Sequence, residues 1–71
     1  MKNTARIKAF GTHLRRLREG AGLSQQDLAD NADVAKITIQ RIENAKYATT
    51  LDMLITISKA LKISLSKLLD F

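Results

Sequence analysis

Apolar side chains recur every three or four residues along most of the chain, which is the spacing of one face of an α-helix. The first such stripe predicts a helix over residues 4–19. Its apolar members are Ile7, Phe10, Leu14 and Leu17. Gly20 and Gly22 follow directly, and glycine accepts the left-handed backbone that often ends a helix. We therefore expect the first helix to stop there.

The next stretch predicts two short helices separated by a tight turn. Ser24 and Asp27 have the spacing of a capping box, which predicts a second helix over residues 24–31. Asp33 tolerates the left-handed backbone of a turn, and a third helix is predicted over residues 35–44. The residues expected to face the core from these two helices are Leu28, Ala29, Ala32, Ile39 and Ile42.

The last third of the chain predicts two more helices, each preceded by a hydroxyl residue that can cap it. Thr50 begins a fourth helix over residues 50–62, and Ser64 begins a short fifth helix over residues 64–70. The predicted inner stripe of the fourth helix consists of Leu51, Leu54, Ile55, Ser58 and Leu61. A second apolar stripe, off that inner face, consists of Met53 and Ile57.

These elements predict an all-α fold of five helices, and a chain of 71 residues has the length of a single domain, here residues 1–71. Hydrophobic residues make up 45% of the chain, which is enough for a core. The net charge of +5 suits a polyanionic partner such as nucleic acid. No apolar run is long enough to span a membrane, and no signal peptide is visible, so we expect a cytoplasmic protein without a membrane partner.

Catalytic and metal-binding chemistry has little support in the residue types present. The chain has no cysteine, no glycine-rich phosphate loop and one histidine, His13, which we interpret as a surface residue. Asp27, Asp30 and Asp33 do not share a helix face and lack the spacing of a calcium loop. We therefore expect no enzymatic activity, no metal and no cofactor.

The second and third predicted helices have the arrangement of a helix-turn-helix, in which the second helix of the pair enters the major groove of DNA. The matching residues are Leu23-Ser24-Gln25-Gln26-Asp27-Leu28-Ala29, then Val34, Ile39 and Ile42-Glu43-Asn44. This pattern resembles the lambda-repressor and Cro family, also called the XRE family, over roughly residues 7–70. The resemblance implies a five-helix, lambda-repressor-like domain that binds double-stranded DNA in a sequence-specific way.

The resemblance also implies roles for individual residues. Its base-reading positions correspond to Ala35, Lys36, Ile37 and Arg41. Its phosphate-contacting positions correspond to Arg18, Ser24, Gln25, Asn44, Lys46, Tyr47 and Thr49. Arg18 and Glu43 match an ion pair that links the first helix to the end of the third, and a purely structural role for this pair is open. For Tyr47, covering the edge of the core is an equally open role.

The chain departs from the family pattern at three positions around the third helix. These are Asp33, where glycine is usual, Ala35, where serine or threonine is usual, and Ala45, where glycine is frequent. Ala35 is a poor helix cap, and Ala45 leaves the path of the following loop open.

A single small module buries little DNA surface, so we expect a homodimer on a pseudo-palindromic operator, acting as a repressor or controller. The expected dimer interface, on the last two helices, consists of Met53, Ile57, Leu65 and Phe71. The alternative is an antitoxin-type subunit of the same fold whose main partner is another protein. Antitoxins often carry an extra tail, and the chain ending at Phe71, just after the fifth helix, favours the regulator.

Overall fold

The computed structural model describes residues 3–71, which form five helices and no strand. The helices are α1 (Thr4–Gly20), α2 (Gln25–Ala32), α3 (Lys36–Glu43), α4 (Leu51–Leu61) and α5 (Leu65–Leu68). The predicted all-α fold is confirmed, with α5 shorter than expected; residues 1 and 2 of the predicted domain lie outside the described part. Within residues 3–71, no helix combines the length and the apolar character needed to cross a membrane.

Three of the helices begin where a hydroxyl side chain satisfies the free backbone N–H groups of the first turn. Ser24 Oγ accepts from the Asp27 N–H at 2.9 Å, and Asp27 Oδ2 accepts from the Ser24 N–H at 2.9 Å. Thr50 Oγ1 accepts from the Met53 N–H at 3.1 Å, and Ser64 caps α5 in the same way. The three predicted caps are therefore present.

The turn between α2 and α3 closes as the sequence predicts. Asp33 adopts the left-handed conformation, with φ of 57°, and the Val34 N–H donates to the Ala29 carbonyl at 3.0 Å. Ala29 is fully buried, and α2 and α3 pack directly against each other. Ala35 precedes α3 and offers no side-chain cap, in line with its poor capping chemistry.

The core lies where α1, α2, α3 and α4 meet, and α5 covers one end of it. Its largest fully buried side chains are Leu14, Leu28, Ile39, Ile42, Ile57 and Leu68. The predicted burial of Ala29, Ala32 and the core-facing residues of α3 is confirmed.

The predicted phase of α4 is wrong at two positions. Leu51 is 62% exposed, although it was expected on the inner stripe, and Ile57 is fully buried, although it was expected off that stripe. Leu54, Ile57 and Leu61 are spaced by three and four residues and form the face packed on the core. Because α4 is apolar on most of its faces, the spacing of apolar residues does not by itself distinguish these two phases.

Candidate nucleic-acid interface

The outer face of α3 is exposed, while its inner face is buried in the core. Ile39 and Ile42 anchor the inner face. On the outer side, Lys36 and Arg41 are exposed, and Ile37 is 48% exposed between them. Ala35, at the start of the helix, is exposed as well. The predicted base-reading residues thus share one accessible surface that combines cations with an apolar side chain.

Glu43, the last residue of α3, is the centre of a buried polar cluster. Its side chain is completely inaccessible, yet it accepts from Arg18 Nε at 2.7 Å and from Arg18 Nη2 at 3.1 Å. Arg15 Nε lies 3.4 Å from the same carboxylate. The ion pair implied by the family resemblance is present, and it fixes the end of α3 to α1.

Arg18 is committed to this structural role. Its third guanidinium nitrogen, Nη1, donates to the Leu23 carbonyl at 2.8 Å, and only 9% of the side chain is exposed. Each terminal nitrogen of Arg18 has a second N–H group that could donate to a phosphate. Because so little of the side chain is exposed, a phosphate can reach Arg18 only at that small exposed part. The phosphate contact of Arg18 stays a prediction, secondary to its bonds with Glu43 and Leu23.

Glu43 is held in its ionised form. Burial raises the pKa of this carboxyl, but the hydrogen bonds from Arg18 and Gln25 and the positive charge of Arg18 outweigh burial and hold the pKa below its usual range. The same hydrogen bond with Glu43 raises the pKa of Arg18. The cluster is therefore a buried but fully paired set of charges, the condition under which buried charge is tolerated.

Gln25 connects this cluster to the predicted phosphate site. Its Nε2 donates to Glu43 Oε1 at 3.1 Å, which fixes the side chain at the first position of α2. The carbonyl oxygen and one N–H of its amide remain for a ligand. Ser24 uses its hydroxyl oxygen as an acceptor within the capping box and keeps its own proton to donate. A helix N-terminus favours an anion, so both residues stand where a phosphate fits.

The loop after α3 adopts a defined turn despite its departure from the family pattern. Ala45 takes the left-handed conformation with φ of 57°, and the Lys46 N–H donates to the Arg41 carbonyl at 2.8 Å. Asn44 and Lys46 are exposed, whereas Thr49 is half-buried. Four of the predicted phosphate-contacting residues lie on this loop: Asn44, Lys46, Tyr47 and Thr49.

Tyr47 is 37% exposed and adjoins both Arg41 of α3 and an apolar groove on the other side of the loop. Both of the roles left open for it, DNA contact and cover for the core edge, are compatible with this position.

Gly11 is a determinant of the site that the sequence analysis did not identify. A Cβ atom at this position would lie 2.6 Å from the Glu43 carbonyl oxygen and 2.7 Å from that of Ile42. The backbones of α1 and α3 therefore touch, and only glycine permits this approach. Glycine within a helix is unfavourable by about 1 kcal/mol relative to alanine, so its position in the middle of α1 was the available signal.

The predicted dimer residues do not form one exposed surface. Ile57 is fully buried in the protomer, so its assignment to the interface is wrong. Met53 and Leu65 are half-buried and pack on the core. Phe71 is 37% exposed, and its ring packs edge-on against Phe10 with 5.4 Å between the ring centres.

The N-terminus of α2 is open to an anion, and the α3 that follows it exposes a face of cations with one apolar side chain. This arrangement is that of a helix-turn-helix DNA-binding protein. A helix-turn-helix family model matches residues 14–68 of the chain. No curated protein sequence matches significantly.

Two solved structures are similar over most of their length. The restriction-modification controller protein C.AhdI from Aeromonas hydrophila has 30% sequence identity and a TM-score of 0.88, over 90% of this chain and 97% of that chain. The clp gene regulator ClgR from C. glutamicum has a TM-score of 0.84 over 90% of this chain and 83% of that chain; its 23% identity shows the shared fold alone. The chain belongs to the XRE-type helix-turn-helix family of DNA-binding transcriptional regulators, as its motifs predict.

Proposed function

We propose that this protein binds a specific double-stranded DNA sequence as a homodimer and thereby represses or controls transcription. The observation that carries the proposal is the joint position of α2 and α3. The exposed face of α3 presents Lys36, Ile37 and Arg41, and Glu43 at its end holds Gln25 at the N-terminus of α2. The unit formed by α2 and α3 thus presents groups that can contact base edges and groups that can contact the DNA phosphate backbone.

The α3 face supplies the groups that base recognition requires. Lys36 and Arg41 donate to the O6 and N7 atoms of guanine, and Ile37 contacts a thymine methyl group. Ala35 is small enough to let the start of α3 approach the base edges. Ile37 is 48% exposed to water, so burying it against such a methyl group is favourable in free energy.

The phosphate contacts come from both ends of the unit. Ser24 and Gln25 at the start of α2 meet one phosphate, and Asn44 and Lys46 after α3 meet another, with Tyr47 and Thr49 on the same loop. Contacts of this kind fix the register of the protein on the duplex and carry no base information themselves. Arg18 acts mainly through Glu43, by keeping the two contact regions in a constant relation.

The protein acts as a two-fold symmetric dimer and carries out no catalytic step. The solved relative of 30% identity is a restriction-modification controller, which supports a controller role here. Two copies reading two half-sites gain the affinity that one small module lacks. His13 packs beside Phe71, and Glu43 is saturated by arginine and glutamine donors, so neither is poised for chemistry. As a DNA-binding regulator the protein would act in the cytoplasm.

The test is a comparison of binding free energies on the preferred site and on single-base variants of it. Lys36→Ala and Arg41→Ala should each weaken binding by about 1–3 kcal/mol and relax the preference at one base pair. Lys67→Ala, an exposed lysine of α5 outside the helix-turn-helix, is the matched control and should bind like wild type. An equal loss on all sequences would assign Lys36 and Arg41 to phosphates instead.

A further inference from the structure

Most of the large apolar side chains that stay exposed outside α3 line one groove on the molecule. Among the described residues, the large hydrophobic side chains that stay exposed, apart from Ile37, are Tyr47 (37%), Leu51 (62%), Leu69 (40%) and Phe71 (37%). Tyr47, Leu69 and Phe71 line the same groove. An apolar cluster of this kind on a small protein usually marks an interaction surface.

The groove is a largely apolar cavity of about 180 Å³ between the start of α1, the loop after α3 and the C-terminal residues. Ile7 and Phe10 of α1 and Leu54 of α4 form its floor and walls with the exposed residues already named. A cavity of about 150 Å³ with an aliphatic and aromatic lining accepts an apolar group the size of benzene. The groove therefore has room for one branched aliphatic side chain.

Leu51 stands beside this groove as a matching projection. It lies in the first turn of α4, three residues before the groove residue Leu54, and is the most exposed of the large apolar side chains described. Residues three apart share a helix face, so the projection and the groove point to the same side of the molecule. A surface that carries both a projection and its receptacle is self-complementary, which is what a two-fold interface requires.

The geometry points to a second copy of this chain as the occupant: Leu51 of each protomer enters the groove of the other. This inference rests on the proposed function and deepens it by naming the dimer surface. It replaces the predicted interface of Met53, Ile57, Leu65 and Phe71, of which Phe71 alone is retained.

The charges around the groove fit a second copy as well. Arg6 stands at one margin, where its guanidinium lies 4.4 Å from the centre of the Phe71 ring and donates to the Phe71 backbone oxygen at 2.8 Å. Asp52 follows Leu51, and Asp70 follows Leu69, and both are exposed. A rim with both signs of charge can pair with itself across a two-fold axis, since a cation of one copy then faces an acid of the other.

The same placement keeps α3 available for DNA. The one α3 residue that lines the groove is Ile42, which belongs to the buried face of that helix. Lys36, Ile37 and Arg41 are not part of the groove. A dimer through the groove therefore leaves both recognition surfaces free.

The experiment is sedimentation of the full chain over a range of concentrations, without DNA, for wild type and Leu51→Asp. Aspartate is favoured in the first turn of a helix, and an exposed leucine contributes little to the fold, so the variant should stay folded by circular dichroism. The variant removes a buried Leu51 side chain from both protomers of each dimer, so we expect the dissociation constant of the dimer to rise at least about 100-fold. Leu69→Asp, in the lining of the groove, should have a similar effect.

Ile37→Asp is the matched control, because it places the same charge on another exposed apolar residue. It should leave the dimer intact and abolish specific DNA binding. The chain has one tyrosine and no tryptophan, so fluorescence of Tyr47 reports on the groove directly and should change as wild type dissociates on dilution.

A Leu51→Asp protein that dimerises like wild type would overturn the inference. So would a wild type that stays monomeric at every concentration. If the Leu51→Asp dimer still binds DNA with sequence preference, the proposed function stands and the error lies in the interface alone. If the wild type is monomeric and still binds DNA with sequence preference, specific DNA binding stands and the proposed homodimer fails. If a wild-type dimer through the groove shows no sequence preference on DNA, the proposed function fails and the interface stands.

Discussion

The junction of α1 with α3 and the apolar groove near the C-terminus differ in how their side chains are satisfied. At the junction, charged groups are buried and every one of them is paired: among the described residues no buried side-chain nitrogen or oxygen lacks a hydrogen-bond partner. At the groove, the apolar side chains of Tyr47, Leu69 and Phe71 are partly exposed to water, and Leu51 nearby is 62% exposed. The first region is satisfied within one protomer, and the second leaves apolar surface in contact with water.

This difference assigns DNA recognition to the junction and the proposed assembly to the groove. A satisfied polar cluster orients α3 and Gln25 for DNA, because every member restricts the geometry of the others. In the proposed dimer the exposed apolar surface contributes to assembly, because its burial is favourable without demanding a particular hydrogen-bond pattern. Variants at the junction should therefore act on folding, and variants at the groove should act on the dimer.

Glu43→Ala should have the largest effect on the junction. Removing the carboxylate leaves Arg18 buried without its partner, and breaking a buried ion pair in this way costs about 3–5 kcal/mol. Chemical denaturation measures the loss in free energy of unfolding. Glu19→Ala, an exposed acid of the same helix as Arg18, is the control and should stay within about 0.5 kcal/mol of wild type. Equal stability of the two variants would refute the structural role of Glu43.

Gly11→Ala should have the next largest effect. Its methyl group would meet two backbone carbonyls that cannot rotate away, so α1 and α3 must separate. Overpacking of this kind typically costs about 1–3 kcal/mol, although alanine is the better helix former. Gly20→Ala is the control, because nothing lies within 4 Å of a Cβ atom there. A Gly11→Ala protein at least as stable as wild type would show that the two backbones are not in contact.

Acid should weaken the junction through Glu43. The pKa of Glu43 is lowered in the folded protein, so its contribution is fully present above the ordinary glutamate pKa of about 4.3 and is lost as the pH falls through the lower folded value. The stability difference between wild type and Glu43→Gln should therefore shrink as the pH falls below about 4.3. A difference that is the same at neutral and acidic pH would contradict the assignment.

Leu51→Asp should have the smallest effect on the fold of the protomer. Measured at concentrations where wild type is dissociated, its free energy of unfolding should differ from wild type by no more than about 0.5 kcal/mol. At higher concentrations wild type should gain stability by mass action and the variant should not. A large loss for the dissociated variant would mean that Leu51 belongs to the core, as the sequence pattern suggested.

Much of the fold can be predicted from the sequence alone. All five helices, the caps at Ser24, Thr50 and Ser64, and the Arg18–Glu43 pair follow from local spacing or from family motifs. These features depend on residues close in the chain or on a pattern that many proteins share.

What the sequence left open depends on contacts between helices. The phase of α4 escaped prediction because that helix is apolar on several faces, so Leu51 and Ile57 exchange roles without changing the pattern. The Gln25–Glu43 bond and the contact at Gly11 join residues far apart in the chain. Neither produces a periodic signal, and both require the crossing of α1, α2 and α3 to be known.

Sequence-specific DNA binding by a dimer can be tested by selecting binding sites from a random pool of duplex DNA at physiological ionic strength. We expect an enriched motif with two-fold symmetry, whose half-sites lie about one helical turn apart. A folded wild-type protein that enriches no sequence, or one that enriches only an asymmetric single half-site, would contradict it.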